Sequence, residues 1–215
     1  MRITYLITLL SLCLQLLVPV TTQAEPLTLQ QLFEELTLSA AETKSLASDF
    51  VQEKNLAIFS AKLLSQGRFL YQAPDLLRWE LLEPVASGFV LRGNKGERWN
   101  SLSQERDSFS VESDPIMGLI AQQLLAWARV DVDWLQSRYQ MELLSEPLNS
   151  LRLTPLDKGE AGFIDYLQVQ FSADHHHVAQ VLMVEQGGDS TLLQFSDVQL
   201  NTELSSASFQ APEFR

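Results

Sequence analysis

Between Gly67 and Pro84 the chain alternates. Phe69, Tyr71, Leu77, Trp79 and Leu81 share one parity, while Arg68, Gln72, Arg78 and Glu80 share the other, with Leu70 and Leu82 as exceptions. A period of two is the mark of a half-buried strand. Ala73-Pro74-Asp75 interrupts it with turn residues, so the stretch reads as a hairpin with one bulky apolar face. A face of this kind needs a partner. It either packs an ordinary core or lines an apolar cavity, and alternation alone leaves both open.

The rest of the chain offers that partner. Leu29, Leu32, Phe33 and Leu36 follow helical spacing, with Thr28 as N-cap. Asp114 and Pro115 open a second helix in which Ile116, Leu119, Ile120, Leu124, Trp127 and Ala128 lie along one side, widened by Met117 and Leu125. Asp131 caps a short third helix through Trp134 and Leu135. Around these, "KSLASDFVQEKNL", "IFSAKLLSQGRFLYQ" and "SGFVLRGNKGERWNSL" are extended, the last with a tight turn at Gly93-Asn94-Lys95-Gly96. From Tyr139 onward "YQMELL", "SLRLTPL", "FIDYLQVQF", "HVAQVLMVE", "TLLQFSDVQL" and "ASFQAPEF" are strand-like, with turn signals at Lys158-Gly159 and Gly187-Gly188. The expected fold is α+β and mainly antiparallel β. It is a curled sheet of about ten strands with a helix at its start and a helical insertion in its middle.

The first residues predict the compartment. Met1-Arg2 is basic, Ile3 to Val20 is an apolar run, and Thr22-Gln23-Ala24 puts small residues before Glu25. This is the pattern of a secretory leader cleaved after Ala24, leaving 25–215 as a single domain. As a membrane anchor the run is barely long enough and contains Pro19. Leu12 stands before Cys13, where lipoprotein processing wants a small residue. Loss of the leader takes one of the 15 basic residues and none of the 27 acidic ones, moving the net charge from −12 to −13. Nucleic acid and anionic membrane surfaces are poor partners for such a chain. Cys13 is the only cysteine, so the mature chain has no disulfide, thiolate metal site or cysteine nucleophile. Its stability comes from a core.

No cluster of residues carries chemistry. Asp174-His175-His176-His177 resembles a ligand run, but consecutive strand side chains alternate, so the three histidines cannot share one ion. The turn is read as solvated, with no metal. Glu80 and Glu83 point to opposite faces. No G-x-S-x-G, H-E-x-x-H or phosphate-binding glycine loop is present. The chain is read as non-enzymatic, with no cofactor. An esterase would need a serine beside one of these three histidines.

Several stretches, in order, resemble one family. They are "DFVQEK" (Asp49 to Lys54), "SQGRFLYQAPDLLRWELLEP", the turn "GNKGERW" with Trp99, "DPIMGLI" opening the middle helix, and "SFQAPEF" near the end. Together they resemble the LolA family, periplasmic carriers of outer-membrane lipoproteins. The resemblance implies an unclosed β-barrel with a helical lid and a cavity that accepts acyl chains. It implies a monomer in the periplasm of a Gram-negative bacterium, with a lipoprotein or other acylated lipid as cargo. By analogy it also implies an inner-membrane releasing complex and an outer-membrane acceptor. The cavity residues would be Phe69, Tyr71, Leu77, Trp79, Leu81, Phe89, Leu91 and Trp99, with Ile116, Leu119, Ile120 and Leu124 on the lid helix. One position departs. The family's carriers commonly hold the lid with an arginine immediately before the hairpin proline, and here that position is Ala73. A specialised carrier or sensor for a non-protein lipid (a glycolipid, fatty acid or polyene from a dedicated gene cluster) is the alternative, and an interaction module with a filled core is a third.

Overall fold

The first helix, α1 (Leu29–Glu42), leads into six strands that run as a meander: β1 (Ser45–Asn55), β2 (Lys62–Gln72), β3 (Leu76–Glu83), β4 (Ser87–Arg92), β5 (Lys95–Asn100) and β6 (Glu105–Ser110). Two helices follow, α2 (Pro115–Arg129) and α3 (Val132–Arg138). A second meander completes the chain: β7 (Tyr139–Leu144), β8 (Ser150–Pro155), the short α4 (Lys158–Ala161), β9 (Ile164–Phe171), β10 (Val178–Glu185) and β11 (Ser190–Leu200). This computed structural model describes residues 27–58 and 62–213. The expected leader, 1–24, lies outside them.

Among the described residues, eleven strands form one antiparallel sheet in the order β6-β5-β4-β3-β2-β1-β11-β10-β9-β8-β7. The two meanders are joined along β1 and β11, and β6 and β7 are left as free edges. The sheet is therefore curled but unclosed, as expected. The connection from one free edge to the other is α2 and α3, so topology itself lays these helices across the open side.

Helix starts follow the sequence. Thr28 and Gln31 form a reciprocal capping box on α1. Asp114 accepts from the Met117 N–H at 3.1 Å, and Pro115 occupies the first turn of α2. On the concave side, Leu32 and Leu36 of α1 join Leu124, Leu125 and Ala128 of α2, Val132 and Leu135 of α3, and the inward residues of the sheet in one continuous core. Each such Leu or Val side chain contributes roughly 1.5–3 kcal/mol when fully buried. Two glycines permit tight sheet packing. A Cβ at Gly67 would lie 2.2 Å from Cζ of Phe50, and one at Gly96 would lie 2.2 Å from Cζ of Phe109. In each case an aromatic ring covers the glycine of the neighbouring strand.

The convex side holds a second, smaller cluster of Val90, Trp99 and Ala211. The Arg78 guanidinium sits 5.0 Å from the Trp99 ring centroid. It donates to the carbonyls of Ser208 (3.1 Å) and Gln210 (2.7 Å) and pairs with Glu80 at 2.5 Å. This fixes the C-terminal stretch across β3 and β4. "ASFQAPEF", expected as a strand, instead contains a 3-10 turn, Ser206–Phe209, followed by an irregular tail. Both ladder edges of β11 are already occupied, so Arg78 rather than a strand partner satisfies the tail's carbonyls. The strand missing from the sequence reading is β6, "ERDSFS", whose one buried apolar residue, Phe109, gives too weak an alternation.

Candidate functional site: the lidded concave face

Four aromatic rings from four strands meet on the concave face. Phe50 and Trp79 stack with centroids 4.0 Å apart and planes at 19°. Phe195 stands edge-on to both, at 6.1 and 6.5 Å, and Phe69 is 6.0 Å from Trp79. Offset and edge-on geometries of this kind suit the ring quadrupoles. Phe69, Tyr71, Leu77, Phe89 and Leu91 are buried on this face, and Trp79 and Leu81 are half-buried. Phe50 and Phe195 belong with them but escaped the sequence reading. Their signal was present: Phe50 shares parity with Leu46, and Phe195 shares parity with Leu193.

Trp99 does not belong here. Gly96 and Arg98 pair with Leu91 and Phe89, so the next position, Trp99, faces the convex side opposite Gly88. The lid face of α2 is also rotated from expectation. Leu124 is buried and Leu119 half-buried, but Ile116 is 73% exposed and Ile120 is 41% exposed. Gly118, Ala121, Leu125 and Ala128 turn inward instead. The helix is apolar on most sides, so periodicity does not choose the face. Small residues do, because they let α2 approach closely. A Cβ on Gly118 would lie 2.7 Å from the Val111 carbonyl oxygen.

Between α2 and the sheet lies a space lined by Leu46, Ser48, Phe69, Leu124, Trp127, Ala128, Val178, Phe195 and Val198. Its volume is about 10 Å³, room for roughly one water. In this conformation the protein's own side chains fill the concave face.

Polar ties hold the lid at two places. Arg98 on β5 donates to Asp114 at the start of α2, 3.1 Å away. At mid-helix, the Tyr139 hydroxyl on β7 is 2.7 Å from the Gln123 side-chain amide and hydrogen-bonds the Glu160 carboxylate. Arg138 donates to the same carboxylate at 2.7 Å. Burial, and then the bond to Glu160, push the Tyr139 phenol well above its ordinary value, so it stays a donor at any working pH. Its single proton faces two acceptors, the Glu160 carboxylate and the Gln123 side-chain oxygen, and is donated to one at a time. Ala73 is exposed, and its N–H donates to the Lys44 carbonyl at 2.8 Å. Burial raises the Tyr71 phenol pKa, and the charge of Arg129 opposes the rise.

The histidine turn is not the solvated loop expected from its composition. His175 adopts φ 58° and places Nδ1 2.5 Å from a Glu35 carboxylate oxygen on α1. His177 is half-buried, and burial lowers its pKa. Asp174 is held below its ordinary value, mainly by the Ser172 hydroxyl. Among the described residues, no group of three side chains is placed to hold a metal ion.

An unclosed antiparallel barrel, lidded by helices that connect its two free edges over an apolar concave face, defines the structural class. Comparison with known proteins places the chain within it. The family model for the LolA outer membrane lipoprotein carrier protein matches residues 41–212, and the chain belongs to the LolA family. It is 22% identical over 174 residues to the outer-membrane lipoprotein carrier protein of Pseudoalteromonas translucida (strain TAC 125), covering 79% of this chain and 77% of that one. An uncharacterized conserved protein from Thermus thermophilus shares the fold with a TM-score of 0.53 at 11% identity, over 86% of this chain and 94% of that one. MucB does so with a TM-score of 0.51 at 17% identity, over 85% of this chain and 62% of that one. Among the described residues, no helix is long and apolar enough to cross a membrane.

Proposed function

We propose that this protein is a periplasmic, non-enzymatic carrier that shields the acyl chains of a lipidated protein between the inner and outer membranes. The observation that carries the reading is the concave face itself: large apolar side chains from four strands, covered by helices tied down by few polar bonds. A 16-carbon chain crossing water represents on the order of 12 kcal/mol of unfavourable exposure, at about 0.8 kcal/mol per methylene. A carrier replaces the bilayer for that chain and must still release it, so shielding without many directional bonds fits the task.

A ligand of this size needs a cavity of roughly 300–1,000 Å³, far more than the space beneath α2. Loading therefore moves the lid. The helix slides or lifts from Phe69 and Phe195 of the sheet, and the acyl chain takes the place of the lid's own side chains, Leu124 among them. By analogy with the family, an inner-membrane complex supplies the cargo and an outer-membrane acceptor receives it, with a monomer in transit after loss of 1–24. A second reading, cargo that is a non-protein lipid, is favoured by Ala73. The residue before the hairpin proline makes no side-chain tie to the lid, so handover here does not use that contact.

The test is uptake of a fluorescent palmitoyl ester by the purified mature protein, with mass spectrometry of whatever co-purifies from the periplasm. Wild type takes up the ester. Leu81→Glu, at a half-buried position on the concave face, reduces uptake while the protein stays folded. Unfolding of Leu81→Glu, or no uptake by wild type, refutes the carrier reading. Acylated peptides in the mass spectrum favour the first cargo class, and free lipids favour the second.

A further inference from the structure

The seam between the two meanders is irregular beneath the lid. Ala47 pairs with Gln199 and Asp49 with Ser196, so β1 has one residue, Ser48, where β11 has two, Asp197 and Val198. Asp197 takes up the extra length with φ 51°. A bulge of this kind re-aims side chains and recurs beside functional sites. Here it sets Ser48, 4% exposed, against the small space under α2, with Val198 beside it and Trp127 on the lid.

Ser48 Oγ and Trp127 Nε1 are both buried, and among the described residues neither meets a hydrogen-bond partner. Every other residue lining the space is apolar. A surface shaped only to exclude water gains nothing from these two groups, because an unpaired buried polar group lowers stability. Their chemistry narrows what they suit. The indole N–H donates only, and the serine hydroxyl can donate, so the complementary ligand brings acceptors. No charged side chain lines the space, and a carboxylate there would be desolvated without a counter-charge. A neutral carbonyl oxygen meets both conditions.

We propose that Ser48 and Trp127 form a polar anchor for the ester or amide carbonyls of acylated cargo, giving the cavity a preference for acyl esters and amides over plain hydrocarbon and over free fatty acid. This rests on the carrier reading and adds a specificity to it. One donor sits on the sheet and the other on the lid, so a carbonyl held between them also marks how deeply the acyl chain has entered.

The experiment displaces the fluorescent hydrocarbon diphenylhexatriene from the mature protein with methyl palmitate, palmitic acid or heptadecane. In wild type the ester displaces the probe at about tenfold lower concentration than the alkane, the worth of one well-placed hydrogen bond, and at lower concentration than the acid. Ser48→Ala and Trp127→Phe each remove most of that preference. They shift the alkane's potency far less than the ester's, and Ser48→Ala does not lower the melting temperature. Equal potency of ester and alkane in wild type overturns the anchor while leaving the carrier standing, as does full retention of the preference in both variants. If nothing displaces the probe, or the probe does not bind, the carrier reading falls and the anchor falls with it.

Discussion

Removing one hydroxyl tests whether the lid is a moving part. Tyr139→Phe keeps the ring and its packing against Trp134, 6.4 Å away, but deletes the group that joins Gln123 of α2 to Glu160 of α4. A hydrogen bond to a charged group contributes about 1.5–3 kcal/mol. At 2–4 °C per kcal/mol for a chain of this size, the melting temperature should fall by about 3–12 °C. The bond to Gln123 is the part lost when the lid lifts, and a neutral bond is worth about 1 kcal/mol. Its removal raises the open population, and with it the association rate of the palmitoyl ester, about fivefold. Gln123→Leu isolates that part: the same acceleration with a smaller loss of stability, because Tyr139 still reaches Glu160. Arg78→Ala is the control. It frees the C-terminal strap on the convex face and lowers stability, yet leaves the association rate unchanged. Stopped-flow fluorescence and thermal unfolding supply both readouts. If Tyr139→Phe and Gln123→Leu bind the ester no faster than wild type, α2 is a fixed part of the core and not a lid.

Three further outcomes follow from particular contacts. Gly67→Ala should cost about 3 kcal/mol in urea unfolding, because its Cβ would meet the Phe50 ring at 2.2 Å and the Glu80 carbonyl oxygen at 2.4 Å, and the carbonyl cannot yield. A loss below about 1 kcal/mol would mean that Phe50 does not sit over Gly67. Trp99→Ala should lose about 3–5 kcal/mol of stability with ester affinity intact, and a selective loss of affinity would return Trp99 to the concave face. Burial holds the His177 pKa below its unfolded value, so the unfolded chain takes up that proton first as pH falls. Stability is undiminished above about pH 6.5 and declines below it, by at most about 1.4 kcal/mol per pH unit from this one group. His177→Gln should flatten that decline, measured as unfolding midpoints between pH 7 and pH 5, and an unchanged slope would show that the group does not titrate differently on folding.

Local pattern determined much of this protein by itself. Alternation from Gly67 to Pro84 specified the hairpin and which of its faces is apolar, since side-chain direction in a strand follows from parity alone. Thr28, Asp114-Pro115 and Asp131 specified three helix starts, because caps are satisfied within a single turn. An unclosed sheet with a helical insertion followed from the order of these elements and from the resemblance carried by their motifs. Other features needed the third dimension. Parity gives Trp99 a face relative to its own strand, but only the register against Gly88 shows that this face is the convex one. Helix α2 is apolar on nearly every side, so Gly118, Ala121 and Ala128 chose its inner face through close approach, leaving Ile116 and Ile120 outside. The histidine turn looked solvated until α1 brought Glu35 to it from about 140 residues earlier in the chain. Ser48 is an ordinary serine in an extended segment. It stands as a buried donor under the lid because β11 bulges opposite it and Trp127 arrives from a helix that crosses the open side of the sheet. Pairing register and helix docking are long-range terms, settled by the burial of the whole apolar face, and no local stretch of the chain encodes them alone.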